Sequence, residues 1–230
     1  MKKVASELLE LPKKSNGNSK AHKAEDLNIQ ITAPKIETLH FKIEGTAPLV
    51  QLRFSEKSIN MMIAKHEAGS QAASKRKRDA RNFDQEFKEA PHKSEEGWIG
   101  INASAFRTAM ISACRLVGFK MTLAKLSIFI PADGFDKVDG VPLVKLEGKP
   151  EKLLSNVRNQ TGVADLRMRA KFWPWSCNLK VSYDAGQFSA TDITNLLSRV
   201  GMQVGIGEGR PDSKESAGMG WGTFKIVNQK

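Results

Sequence analysis

Cysteine is nearly absent from these 230 residues, and the two present, Cys114 and Cys177, are too few for a disulfide framework. A reducing, cytoplasmic setting is the expectation. The four histidines, His22, His40, His66 and His92, are scattered, and no zinc-type spacing joins them to the cysteines. No stretch approaches the ~20 apolar residues of a membrane helix, so no membrane partner is expected. Glu7 and Glu10 interrupt the segment after Met1-Lys2-Lys3, which excludes the apolar region of a signal peptide. The phosphate-binding pattern Gly-x-x-x-x-Gly-Lys-Ser/Thr is missing, and the spacing Gly205-x-Gly207-x-Gly209 is wrong for a dinucleotide turn. No cofactor is expected. Nucleophile–base sets and clustered carboxylates are also lacking, so an enzyme is not the leading reading.

What is present is charge. Lys and Arg number 36 against 25 Asp and Glu, a net +11 that favours a polyanionic partner, nucleic acid above all.

Residues 1–35 are polar and lysine-dotted and read as a basic tail or arm. Residues 36–230 read as a single domain. Leu39, Phe41 and Ile43 alternate with His40, Lys42 and Glu44. Val50, Leu52 and Phe54 then alternate with Gln51 and Arg53, so the spacing predicts two paired strands with the apolar residues inward. An insertion is expected at about 57–96, where Lys75, Arg76, Lys77, Arg78 and Arg81 form a basic cluster. The apolar stripe Phe106, Ala109, Met110, Ala113, Cys114, Val117 predicts a helix capped by Asn102 or Ser104 and ended by Gly118. Leu126, Ile128 and Ile130 alternate as a strand, and a second excursion at about 131–165 holds a short hairpin near Val141–Leu146.

Leu166, Met168, Ala170 and Phe172 alternate against Arg167, Arg169 and Lys171. Cys177, Leu179, Val181 and Tyr183 form the next strand. Ser189 and Asp192 make a capping box for a helix carrying Ile193, Leu196, Leu197 and Val200, which Gly201 stops. Phe224 and Ile226 face inward from the last strand. Without the insertions the order is strand, helix, strand, strand, helix, strand. We therefore expect an α+β fold with a split βαβ, ferredoxin-like and RRM-like antiparallel sheet, both helices on one face.

Seven of the 18 glycines, Gly201, Gly205, Gly207, Gly209, Gly218, Gly220 and Gly222, lie between the second helix and the last strand. Such a loop permits close backbone approach, and Arg210 and Lys214 add positive charge to it. Arg167, Arg169 and Lys171 stand about 6.6 Å apart on one strand face, a spacing suited to successive phosphates. Ser104 and Arg107 sit at a helix N-terminus, where unpaired N–H groups favour anions. Arg158 completes the set of candidate nucleic-acid contacts. Trp175 reads as core, while Trp173 suits either core or base stacking.

The segment Ile101-Asn-Ala-Ser-Ala-Phe-Arg-Thr-Ala-Met110 resembles the first-helix motif of the RAMP superfamily of CRISPR-associated proteins. Val204-Gly-Ile-Gly-Glu-Gly-Arg-Pro211 followed by Gly218-Met-Gly-Trp-Gly-Thr-Phe224 resembles its glycine-rich loop and last strand. Arg169-Ala-Lys-Phe-Trp-Pro-Trp-Ser-Cys-Asn178 is similar to a strand of the backbone subunits, including phage-encoded relatives. Asn102 replaces the usual proline and Ala105 a second serine, leaving Ser104 and Arg107 as the matching pair. The resemblance implies a non-catalytic subunit that binds single-stranded, guide-type RNA, multiplies along it as a helical oligomer and meets other effector subunits. It also implies finger- and thumb-like roles for the two insertions. A single-stranded DNA-binding protein of phage recombination, and a RAMP-type endoribonuclease, are the alternatives.

Overall fold

The computed structural model describes residues 32–67, 69, 80–158, 162–213 and 218–227. In chain order these form β1 Ile36–Gly45, β2 Leu49–Gln51, α1 Glu56–Glu67, α2 Phe83–Glu89, β3 His92–Lys93, β4 Ile99–Asn102 and α3 Ala103–Ala113. Then come α4 Met121–Ser127, β5 Ile128–Phe129, β6 Gly134–Phe135, β7 Pro142–Glu147 and β8 Pro150–Arg158. The rest are β9 Ala164–Phe172, β10 Ser176–Asp184, α5 Ala190–Arg199 and β11 Phe224–Val227. Pro34–Lys230 forms one compact unit.

The architecture is α+β, and every strand pairing among the described residues is antiparallel. The larger sheet runs β11-β1-β10-β7-β4-β3, with β5 on β10 and β6 on β7. β1 and β10 make its spine, in register from Ile36 opposite Asp184 to Glu44 opposite Ser176. The outer edge of β10 is shared: Ser182 and Tyr183 pair with β5, whereas Ser176 and Cys177 pair with β7. A second sheet, β2-β9-β8, stands apart from the first.

Period-two burial shows why the strands form. Phe41 and Ile43 of β1, and Cys177, Leu179, Val181 and Tyr183 of β10, enter one core with Phe106 and Met110 of α3 and Ile193 and Leu197 of α5. Phe224 meets Phe106 and Trp175 edge-on, with both ring centroids at 6.2 Å. Each large side chain so buried contributes about 1.5–3 kcal/mol. Trp175 is thus core, whereas Trp173 is half-exposed at the β9–β10 corner.

The helix caps follow the sequence signals. Asn102 Oδ1 accepts the Ser104 amide at 2.8 Å and starts α3. Ser189 and Asp192 form a reciprocal capping box on α5, and the Ser189 hydroxyl and amide hold the Asp192 carboxyl below its ordinary range. Gly118 adopts φ 69° after the 3-10 turn Cys114–Val117.

Five expectations need correction. β2 does not pair with β1; it pairs with β9, because the chain turns away after Gly45 into the second sheet. The alternation also fails past Val50, which is buried as expected: Gln51 and Arg53 are buried, while Leu52 and Phe54, beyond the end of β2, are exposed. Polar groups hold these positions because partners await them. Gln51 Nε2 donates to the Gly100 carbonyl at 3.0 Å, its Oε1 accepts the His92 amide, and Arg53 Nε donates to the Glu89 carbonyl. Leu126 ends up exposed in α4 rather than in a strand, and Val117, on the 3-10 turn, is likewise exposed. Finally, Gly201 does not stop its helix. It lies within a π turn, Val200–Val204, where an added Cβ would stand 2.2 Å from the Phe224 carbonyl oxygen, and Gly205 makes the exit.

Candidate nucleic-acid interface

β9 presents Arg167, Arg169 and Lys171 on one face and Met168, Ala170 and Phe172 on the other. The second set enters the protein interior. The basic face is not left to solvent, because the glycine-rich loop folds across it. The Glu208 amide donates to the Val50 carbonyl at 3.0 Å, and Glu208 Oε2 lies 2.5 Å from Arg169 Nε. Two features that are far apart in sequence therefore meet.

Their meeting leaves an open cleft of about 700 Å³. β2 and β9 form its floor, the loop residues Gly207–Arg210 form one wall, and Asn102 and Ala105 bring in the start of α3. Arg158, Arg167, Arg169 and Arg210 line it, against one lining carboxylate among the described residues, that of Glu208, while Arg167 Nε also lies 3.6 Å from Asp165 Oδ2. Arg158 and Arg210 donate to the Gly162 and Gly207 carbonyls at 3.3 and 3.2 Å. Neither has a carboxylate within ion-pair distance among the described residues. Guanidinium groups beside a helix N-terminus suit phosphate, both by charge and by their fork of donors.

The loop spends its glycines on itself. Gly205, Gly207 and Gly209 have φ of 69°, 76° and 68°. A Cβ on Gly207 would come within 2.7 Å of the Val50 carbonyl oxygen, and one on Gly209 within 2.5 Å of the Trp221 ring. The Ile206 and Gly222 amides donate to the Gly222 and Pro48 carbonyls. Asp212 anchors the far side through the Ser112 hydroxyl and Arg115. The Ser112 hydroxyl, aided by Arg115, holds Asp212 below the usual carboxylate range against the opposing effect of burial.

The other candidates lie elsewhere. Ser104 is exposed one residue from the cleft lining. Arg107 turns away: its Nε donates to the Ile128 carbonyl at 2.9 Å, its Nη2 to that of Lys125, and its guanidinium stacks over Phe129. Lys171 pairs with Glu151 at 2.8 Å. Arg81 joins α2 to β9 through Glu86, Asp165 and the Leu166 carbonyl. Gly205 is buried beneath the loop. Lys75, Arg76, Lys77, Arg78 and Lys214 lie outside the described residues.

Glu208, Gln51 and His92 are cleft residues that the sequence patterns did not single out. His92 Nδ1 bonds Asp136 Oδ2 at 2.8 Å, and the Val138 amide bonds Asp136 Oδ1 at 2.9 Å. Burial pushes the Asp136 carboxyl up, but the Val138 amide, His92 and Arg53 outweigh it and hold it below its ordinary value. With Asp139, these groups place three ligand-type atoms within 4.8 Å of one another. Both Asp136 oxygens are already satisfied, and Arg53 Nη1 sits 3.8 Å from Oδ1, so the cluster reads as a structural bridge between β3 and the β6–β7 turn. No protein-family model and no curated protein matches this sequence.

Proposed function

We propose that this chain is a non-catalytic subunit that binds single-stranded RNA in the arginine cleft and multiplies along the strand. The observation that carries the reading is convergence. Both RAMP-like motifs contribute to the same cleft: Asn102 and Ala105 from the first-helix motif, Gly207 to Arg210 from the glycine-rich one. β9 adds Arg167 and Arg169. The net charge of +11 agrees with a polyanionic partner.

We read the core as a split βαβ, ferredoxin-like domain. Taking β1, β5, β10 and β11 as its four strands, the neighbours run β11-β1-β10-β5, fourth-first-third-second, all antiparallel. The solvent face of this sheet carries His40, Lys42, Asn178 and Lys180 but only one exposed aromatic ring, Phe129. Base stacking across the sheet, as in RNA-recognition domains, is therefore not the mode proposed. The phosphates lie in the cleft and the bases stay outside it. For copies along the strand, α1 is the contact of choice: none of its residues is buried, and Met61, Met62 and Ile63 are exposed.

The test is fluorescence anisotropy of a labelled single-stranded RNA across a salt series, with single-stranded DNA of equal length as competitor. Strong binding at ~50 mM salt that weakens linearly on a log–log plot is expected. Negligible affinity there would sink the proposal, and preference for DNA would reassign the strand. Recovery of intact RNA after long incubation is the outcome expected of a non-catalytic subunit.

A further inference from the structure

Among the described residues lining the cleft there is one carboxylate, that of Glu208, and it occupies the most deeply set of the four arginines. Arg169 is 8% exposed, with its Nε 2.5 Å from Glu208 Oε2 and an Nη1 bonded to the Ser155 hydroxyl. Glu208 itself is far less enclosed, its side chain 36% exposed. It stands between Gly207 and Gly209, both at positive φ, on a loop pinned at Val50 on one side and through Asp212 on the other.

We infer that Glu208 is a built-in competitor for the phosphate that Arg169 would otherwise bind, and so the residue that selects strands over small anions. The inference rests on the reading of the cleft as a phosphate-binding surface. A carboxylate presents two oxygens to a guanidinium much as a phosphodiester does, so the two compete for one fork of donors. An isolated phosphate gains too little to displace a tethered partner held at high effective concentration. A strand that also engages Arg158, Arg167 and Arg210 gains enough from those contacts to do so. The flanking glycines let the Glu208 side chain swing outward while its amide keeps the Val50 carbonyl. Lys171 and Glu151, paired outside the cleft, provide the internal control.

The experiment compares the full chain with Glu208→Gln, Glu151→Gln, Arg169→Gln and the double variant Glu208→Gln/Arg169→Gln. Circular dichroism first establishes that each is folded. The probes are a labelled oligouridylate in a salt series and inorganic phosphate as its competitor. Glu208→Gln is expected to bind the oligonucleotide about tenfold more tightly. Its log K against log salt should keep the wild-type slope, because once Glu208 is displaced Arg169 meets the same phosphate in both. Phosphate should compete better against it than against the wild type. Arg169→Gln should cost little in the wild type and much more in the Glu208→Gln background. Equal effects of Glu208→Gln and Glu151→Gln, or the same cost of Arg169→Gln in both backgrounds, would overturn the inference while leaving the cleft reading intact. If wild type and Glu208→Gln both fail to bind at ~50 mM salt, the cleft reading and this inference fall together.

Discussion

Gly222 lies so close to Ile206 that a Cβ on Gly222 would stand 1.8 Å from the Ile206 carbonyl oxygen. The two are also hydrogen-bonded, the Ile206 amide donating to the Gly222 carbonyl at 3.0 Å. The close approach that the glycine-rich loop permits is therefore an approach to protein backbone, its own at Gly222 and that of Val50 at Gly207. Gly218 meets the Arg210 carbonyl in the same way. The loop is a compact platform, and it is its side chains, Glu208 and Arg210, that reach the cleft.

Gly222→Ala combines a φ of 68° with an unavoidable backbone clash, and should destabilise the protein by more than about 2 kcal/mol. Gly220→Ala, at φ 72° but with nothing within 4 Å of the new Cβ, should cost only the conformational strain, about 1 kcal/mol. Urea denaturation of the two variants checks the order. Equal costs would mean that the loop is not packed as described.

Arg107 and the cleft arginines should separate cleanly in their effects. The Arg107 guanidinium is committed to the Ile128 and Lys125 carbonyls, so Arg107→Gln should lower thermal stability and leave the salt slope of RNA binding unchanged. Arg158→Gln and Arg210→Gln should leave the melting temperature nearly untouched and flatten the slope by about 0.7 each. Loss of binding, with full stability, in the Arg107 variant would show that the strand runs over the α3–β5 side instead.

Much of the scaffold is legible in the sequence because its signals are local. The Ser189–Asp192 box and the Gly118 stop are fixed by neighbours three or four residues away, and period-two alternation through β10 is unbroken. The cleft is legible only as parts. That Arg167 and Arg169 share a face follows from strand geometry, but the Glu208 that covers Arg169 comes from 39 residues on. β2 fails for the same reason. Gln51 at its end and Arg53 just past it are held by Gly100, His92 and Glu89, and hydropathy alternation carries no information about such remote partners.

The acid side of the stability profile should report Asp136 and Asp212. Both carboxyls are held below the ordinary value of about 3.9 in the folded chain, so each binds its proton less readily folded than unfolded. Their stabilisation is complete above that value and is lost as pH falls through the lower, folded one. Thermal melts should therefore be flat from neutral pH to about pH 5 and decline below about pH 4, less steeply in Asp212→Asn, which has already lost its share. Parallel acid limbs for wild type and Asp212→Asn would show that the Ser112–Asp212–Arg115 anchor contributes nothing.

The segment from Gln51 to Phe54, at and just past the end of β2, offers the sharpest contrast between pattern and structure. If alternation governed, Phe54→Ser would empty the core and Gln51→Leu would fill it. In the fold, Phe54 is 68% exposed and Gln51 only 7%. Gln51→Leu removes the donor to the Gly100 carbonyl and leaves the His92 amide without its side-chain acceptor, which should cost about 1–3 kcal/mol. Phe54→Ser should stay within about 0.5 kcal/mol of wild type. Because Gln51 and His92 both line the cleft, Gln51→Leu should also weaken RNA binding, whereas Phe54→Ser should not. Chemical denaturation and anisotropy on the same two variants decide it, and a destabilised Phe54→Ser beside an unaffected Gln51→Leu would restore the alternating strand.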